Sequence, residues 1–168
     1  PPSEVAGAGW EVAARCLPAR VVAGDFYDIL RHADGSVDVV VADVAGKGFA
    51  ASLIMASVKA MLPFVNDGGV AELLVRLNRR LALELGRGEF VALAVARYRP
   101  SERLVELANA GAPDPYLMRP GQPPQPLSVP GPRLPLGVRE QVAYASRTTE
   151  VAADERLLLL TDGLPEAR

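Results

Sequence analysis

Val37-Asp38-Val39-Val40-Val41-Ala42-Asp43-Val44 is the stretch on which the fold of this 168-residue chain turns. It is apolar except at Asp38 and Asp43. A run of that kind predicts burial on both faces, hence a central strand of a covered sheet. Just before it, Ala33-Asp34-Gly35-Ser36 has turn composition, and residues 25–32 read as another strand. Strand, turn and strand predict a β-hairpin. Upstream, residues 10–18 alternate enough for one more strand.

After Asp43 the period changes. Ala50, Leu53, Ile54, Ser57, Val58 and Met61 recur at helical spacing, and so do Val70, Leu73, Leu74, Leu77, Leu81 and Leu85. Two amphipathic helices, about 46–64 and 70–86, are predicted around the turn Asn66-Asp67-Gly68-Gly69, packed as an antiparallel pair on one sheet. Gly86 and Gly88 end the second. Residues 90–98, 104–109, 141–148 and 157–161 then read as strands, the last again apolar throughout and therefore central. Residues 113–135 hold nine of the fifteen prolines. Proline removes ladder donors, so this segment is expected to be a long surface loop with one or two edge strands. Strands, then helices, then strands define an α+β domain with mainly antiparallel sheets.

Composition narrows the function. Apolar residues are 49% and charged residues 23%, the balance of a globular domain, and the length suits a single domain over 1–168. The net charge is −2 without a Lys/Arg block, so no nucleic-acid partner is expected. One cysteine permits no intrachain disulfide and suits the cytoplasm. No apolar run approaches the ~18 residues that span a bilayer, and no signal peptide opens the chain.

Two of the most apolar strands end alike. Val39-Val40-Val41-Ala42 leads to Asp43 with Gly46 close behind, and Leu157-Leu158-Leu159-Leu160-Thr161 leads to Asp162 and Gly163. A third carboxylate, Asp25, lies in Gly24-Asp25-Phe26-Tyr27-Asp28. Carboxylates at the ends of rigid strands can converge, and a hard divalent cation such as Mg²⁺ or Mn²⁺ removes their mutual repulsion. Each Asp-Gly taken singly is equally ordinary turn chemistry. Other chemistries find little support. Cys16 lacks a basic neighbourhood and reads as a core residue. His32, beside a turn, has no second His and no Asp in obvious register, and reads as solvent-facing. No Ser sits in a Gly-x-Ser-x-Gly elbow. Gly46-Lys47-Gly48 lacks the spacing of a phosphate loop and reads as the helix entry.

At these residues the chain resembles a known family. Ala23-Gly24-Asp25-Phe26-Tyr27-Asp28, Asp43-Val44-Ala45-Gly46-Lys47-Gly48 with Ala50-Ala51-Ser52-Leu53-Ile54-Met55-Ala56, Asn109-Ala110-Gly111, Leu134-Pro135-Leu136-Gly137 and Leu160-Thr161-Asp162-Gly163-Leu164-Pro165-Glu166-Ala167-Arg168 occur in the order found in SpoIIE-type bacterial serine/threonine phosphatases. Those form a branch of the metal-dependent PP2C (PPM) superfamily. The resemblance implies an α-β-β-α sandwich of two antiparallel sheets flanked by helices. It implies two Mn²⁺ or Mg²⁺ ions, Asp43 bridging both, Asp162 on the first, and the Val44 carbonyl on the second with Asp25 supporting it. A metal-activated water, rather than a protein nucleophile, would attack phosphorus. Glu166 and Arg168 match motif positions without an assigned role.

The implied substrate is phosphoserine or phosphothreonine on a protein resembling an anti-sigma-factor antagonist. The helix pair would relay signals from a sensory domain or partner, and an exposed apolar strip on it would be a partner or homodimer surface. The family also has a later Asp-Asp pair after another helix and strand, whereas this chain stops at Arg168, so its last C-terminal segment is expected to be missing and the first metal site short of one carboxylate. Ala112 stands where many members have His, Ala92 where they often have Thr, and Ala23 and Ala45 where Gly and Ser are usual. The alternative is a non-catalytic PP2C-like module that binds a protein.

Overall fold

A computed structural model describes residues 2–16, 24–46, 48–64 and 68–163. The parts of the expectations that fall on Pro18, Ala23, Lys47, Asn66, Asp67, Glu166 and Arg168 lie outside the described residues. The chain runs β1 (Glu4–Gly7), β2 (Trp10–Ala13), β3 (Phe26–Arg31), β4 (Val37–Val44), α1 (Phe49–Met61), a 3₁₀ turn (Leu62–Phe64), α2 (Val70–Glu84), β5 (Val91–Arg99), β6 (Leu104–Ala110), β7 (Tyr116–Met118), β8 (Gln125–Pro126), β9 (Ser146–Glu150) and β10 (Arg156–Leu158). Five strands form one antiparallel sheet in the order β3-β4-β5-β6-β9. Three form a second, β10-β7-β8, and β1 pairs only with β2.

The period-two rule of strands separates two cores. Val40, Ala42 and Val44 of β4, Val91, Leu93 and Val95 of β5, and Ala108 and Ala110 of β6 face α1 and α2. Helix α2 answers with Val70, Leu73, Leu74, Leu77 and Leu81, the predicted stripe. On the opposite face Ala96, Val105 and Leu107 meet Leu117, Leu127 and Val129 from the second sheet and its loops. The order helix, sheet, sheet follows, which places the end of β4 between two rigid layers. Asn78 clamps the loop after β8 onto α2: its Nδ2 donates to the carbonyls of Arg139 and Glu140 at 2.8 and 3.0 Å, and its Oδ1 accepts from Gly137 N–H at 3.0 Å.

Strand β4 is internal, but its second face is only half-buried at Val39 and Val41. Strand β10 departs further from expectation. It covers Arg156–Leu158 only, pairs on one side with β7, and leaves Leu158 at 38% exposure, so the leucine run forms a sheet edge rather than a centre. In the proline-rich segment the proline-free residues of β7 form the middle of the second sheet, which the composition argument had confined to edges. Strand β9 begins five residues later than residue 141, and residues 141–145 instead send Val142 and Tyr144 into the helix-side core. Cys16 is exposed, its Sγ 3.7 Å from the Asp25 carbonyl, because it follows β2 in irregular chain. His32 has the Asp partner that the sequence did not reveal: its Nε2 is 3.1 Å from Asp38 Oδ2, brought there by the hairpin register.

Tyr144 yields a pH prediction. Its hydroxyl donates to the Leu134 carbonyl at 2.8 Å, and burial pushes its pKa up to about 12. An unfolded tyrosine ionises near pH ~10. The folded state therefore keeps the proton longer, so this contribution to stability is complete below pH ~10 and lost as the pH rises toward the folded value. Tyr144→Phe should remove that alkaline loss and cost about 1 kcal/mol at neutral pH for the missing hydrogen bond. Urea unfolding of both proteins at neutral and alkaline pH measures both effects.

Candidate active site

The site begins where β4 runs out. Ala42 and Val44 point into the helix-side core, so Asp43 between them points to the other face, opposite Ala92 in the β4–β5 register. Gly24 crosses directly over this strand end. A Cβ on Gly24 would stand 2.6 Å from the Val44 carbonyl oxygen and 3.3 Å from Asp43 Oδ1, and the Gly24 carbonyl accepts from Val44 N–H at 3.4 Å. Only a glycine lets the two backbones approach so closely. The next residue, Asp25, thereby brings its carboxylate to Asp43. The third segment arrives from the second sheet. Beyond β10, the Thr161 hydroxyl donates to Asp25 Oδ2 at 3.1 Å, and Asp162 follows.

The electrostatics record this gathering. The Asp43 carboxyl is pushed up to about 7, first by burial, then by its hydrogen bond with Asp25, then by the charges of Asp25 and Asp162. Asp43, Thr161 and Asp162 line a small cleft of about 30 Å³ together with Ala42, Ala92 and residues 111–113. Asp43 and Asp162 thus share a cleft, as the strand-end reading predicts. A wider open groove of about 540 Å³ lies between β1 and β3, but Arg31 in its wall is committed to the Ala6 carbonyl at 2.9 Å and to the Trp10 ring, and among the described residues its lining carries Glu4 but no acidic cluster.

Among the described residues, no group of three or more His, Cys, Asp and Glu is arranged to hold a metal ion as it stands. The donor chemistry at the end of β4 nevertheless suits one. Asp25, Asp43, Asp162 and the Val44 carbonyl offer only oxygens, which hard cations prefer. Asp43 is pushed up by burial first and by Asp25 and Asp162 next, and a nearby dication would favour its charged form against both. Thr161 was not singled out in the sequence, although a hydroxyl one residue before a strand-end Asp was the available signal.

Gly24→Ala should be damaging out of proportion to its size. The added methyl meets backbone, which cannot rotate away, so the Asp25 segment must move off Asp43. A displacement of that order costs about a hundredfold in rate where groups must be positioned. Divalent-ion titration by calorimetry, beside hydrolysis rates, should show both weakened, with the thermal transition retained.

The layered fold is the one found in solved PP2C phosphatase domains. The chain belongs to the SpoIIE family: the model of Stage II sporulation protein E (SpoIIE) matches residues 33–168. It is 26% identical over 161 residues to the phosphoserine phosphatase RsbU of Bacillus subtilis, covering 94% of this chain and 47% of that protein. The crystal structure of the RsbU and RsbW domains of a Mycobacterium tuberculosis protein superposes with a TM-score of 0.76 at 23% identity, over 88% of this chain and 41% of that one. The PP2C phosphatase domain of SpoIIE from Bacillus subtilis, solved with a fragment of its regulatory domain, gives 0.71 at 17% identity, over 86% and 43%. The chain thus spans about half the length of these relatives or less. No helix among the described residues is long and apolar enough to cross a membrane.

Proposed function

We propose that this chain is a single PP2C-like domain over 1–168 that hydrolyses phosphoserine or phosphothreonine on a partner protein with the help of divalent cations. The observation that carries the reading is the meeting of Asp25, Asp43 and Asp162 from three separate segments, with Asp43 pushed up to about 7 by burial and its neighbours. Asp43 interacts with both of the others and would bridge two ions, Asp162 would hold the first, and the Val44 carbonyl with Asp25 the second. Two Mn²⁺ or Mg²⁺ ions, when bound, supply the charge that acidifies water and neutralises phosphoryl oxygens. Thr161 orients Asp25 through its hydroxyl. Ala42, Ala92 and residues 111–113 narrow the cleft and limit bulk water beside the reacting ester. No protein nucleophile is needed; the exposed Cys16 has its thiol pushed up by burial and by Asp25, which keeps it protonated and inert.

Kinship with a phosphoserine phosphatase supports a phosphoserine protein as the substrate. In this reading that protein resembles an anti-sigma-factor antagonist, the reaction takes place in the cytoplasm, and the parent protein carries a sensory domain. Release of inorganic phosphate from such a phosphoserine protein, with Mn²⁺ or Mg²⁺ present, tests the reading. No release with either ion would refute it and leave the non-catalytic binding module.

A specific surface feature favours protein contact in either case. Phe49 and Leu53, one turn apart on α1, are 78% and 53% exposed, and Phe64 just beyond the helix is 84% exposed. Met61 instead packs against the core, so the apolar strip runs through Phe49, Leu53 and Phe64. A helix apolar on its outer face too is expected to be covered. Homodimerisation through this strip predicts that Leu53→Glu lowers the mass seen by light scattering to the monomer value; an unchanged mass would locate any self-association elsewhere.

A further inference from the structure

We infer that Asn109 is a positioning residue that builds the substrate-facing wall of the cleft, an inference that rests on the phosphatase reading above. Asn109 is 2% exposed and lies on the same sheet face as Asp43, one strand beyond β5. Its side chain is spent on the wall. Oδ1 accepts from Ala112 N–H at 2.9 Å, and Nδ2 donates to the carbonyls of Ala112 at 3.0 Å and Pro113 at 3.3 Å. Gly111 makes the turn possible at φ 83°, with Pro135 packed where its Cβ would stand, 2.6 Å from Pro135 Cγ. From the outer side Arg133 holds the same segment, its Nη2 donating to the Ala112 carbonyl at 3.4 Å and its Nη1 to Asp114 Oδ1 at 2.6 Å.

These bonds decide what the wall offers. The polar groups of Ala112 and the Pro113 carbonyl are bonded to Asn109 and Arg133, and Gly111, Ala112 and Pro113 line the cleft beside Ala92. The lining of this small cleft thus combines acidic and apolar residues. A phosphorylated residue approaching its mouth would direct the phosphoryl group toward the carboxylates and lay its short alkyl stem and backbone against the apolar residues. Asn109 then acts on substrate binding through the wall, while the carboxylates act on the reacting group.

The two roles separate kinetically. In the full Mn²⁺-loaded chain, Asn109→Ser and Arg133→Gln should each raise KM for a phosphoserine peptide about tenfold, with kcat changed no more than about twofold. For p-nitrophenyl phosphate, which has no alkyl stem or peptide backbone, KM should move less than about twofold. Mn²⁺ affinity by calorimetry should be unchanged in both variants. Arg133 is half-exposed, so Arg133→Gln decides the question if Asn109→Ser fails to fold. Equal losses on both substrates, a loss confined to kcat, or an unchanged peptide KM would overturn the inference. An inactive wild-type chain would instead refute the phosphatase reading, and this inference with it.

Discussion

Asp43→Asn is expected to lower phosphoserine hydrolysis by at least about a thousandfold, several kcal/mol of transition-state stabilisation. The amide keeps the shape of the side chain and the strand end, since the backbone of β4 is fixed by ladders to β3 and β5. What it loses is the one negative charge that interacts with both Asp25 and Asp162. A site that uses two dications depends most on the ligand that serves both. Asp162→Asn, at an exposed position reached only beyond β10, should cost less. Rates for the two variants under saturating Mn²⁺, beside their thermal melts, distinguish the effect from misfolding. Equal rates in Asp43→Asn and wild type would remove the two-ion mechanism.

Arg97→Leu should be the most destabilising single change away from the site, by about 3–5 kcal/mol. Asp38 has no exposure and Arg97 little; they lie opposite each other in the β4–β5 register on the helix side of the sheet. Two hydrogen bonds join them, Nε to Oδ1 at 2.7 Å and Nη2 to Oδ2 at 2.9 Å. Arg97 also donates to the Gly68 carbonyl, tying the approach to α2 to the sheet. Removing the guanidinium leaves a buried carboxylate with His32 as its remaining ion-pair partner. Replacing both ends, Asp38→Leu with Arg97→Leu, should recover much of the loss, because neither charge then remains in the core. Urea unfolding of the single and double variants reads the difference.

That pair also marks where sequence reading stopped. Asp38 was visible only as an interruption in an apolar strand, and its partner lies 59 residues away. Nothing local announces a cross-strand pair until the register is known. The helices, the hairpin of β3 with β4, and strands β5 and β6 were legible because each repeats one period long enough to count. The leucines of 157–160 misled because an apolar run signals burial but does not say how many strands flank it. Strand β1 went unread: its four residues are largely exposed, so no apolar alternation identifies it. At the candidate site, Asp43 was legible as a strand-end carboxylate; Asp162 was legible as the Asp after the leucine run, although β10 stops at Leu158. The close crossing of Gly24 and the Thr161 bond to Asp25 are tertiary facts, each needing a second segment to be placed before it could be seen. The three bonds of Asn109 are local, to Ala112 and Pro113, but they depend on the turn that Gly111 makes.

The most direct test of the central claim is hydrolysis of a phosphoserine peptide by EDTA-stripped protein across a Mn²⁺ titration. The arrangement of Asp25, Asp43 and Asp162 predicts no turnover without metal and a rate that climbs with Mn²⁺ until it saturates. Turnover by the stripped protein equal to that at saturating Mn²⁺ would contradict it.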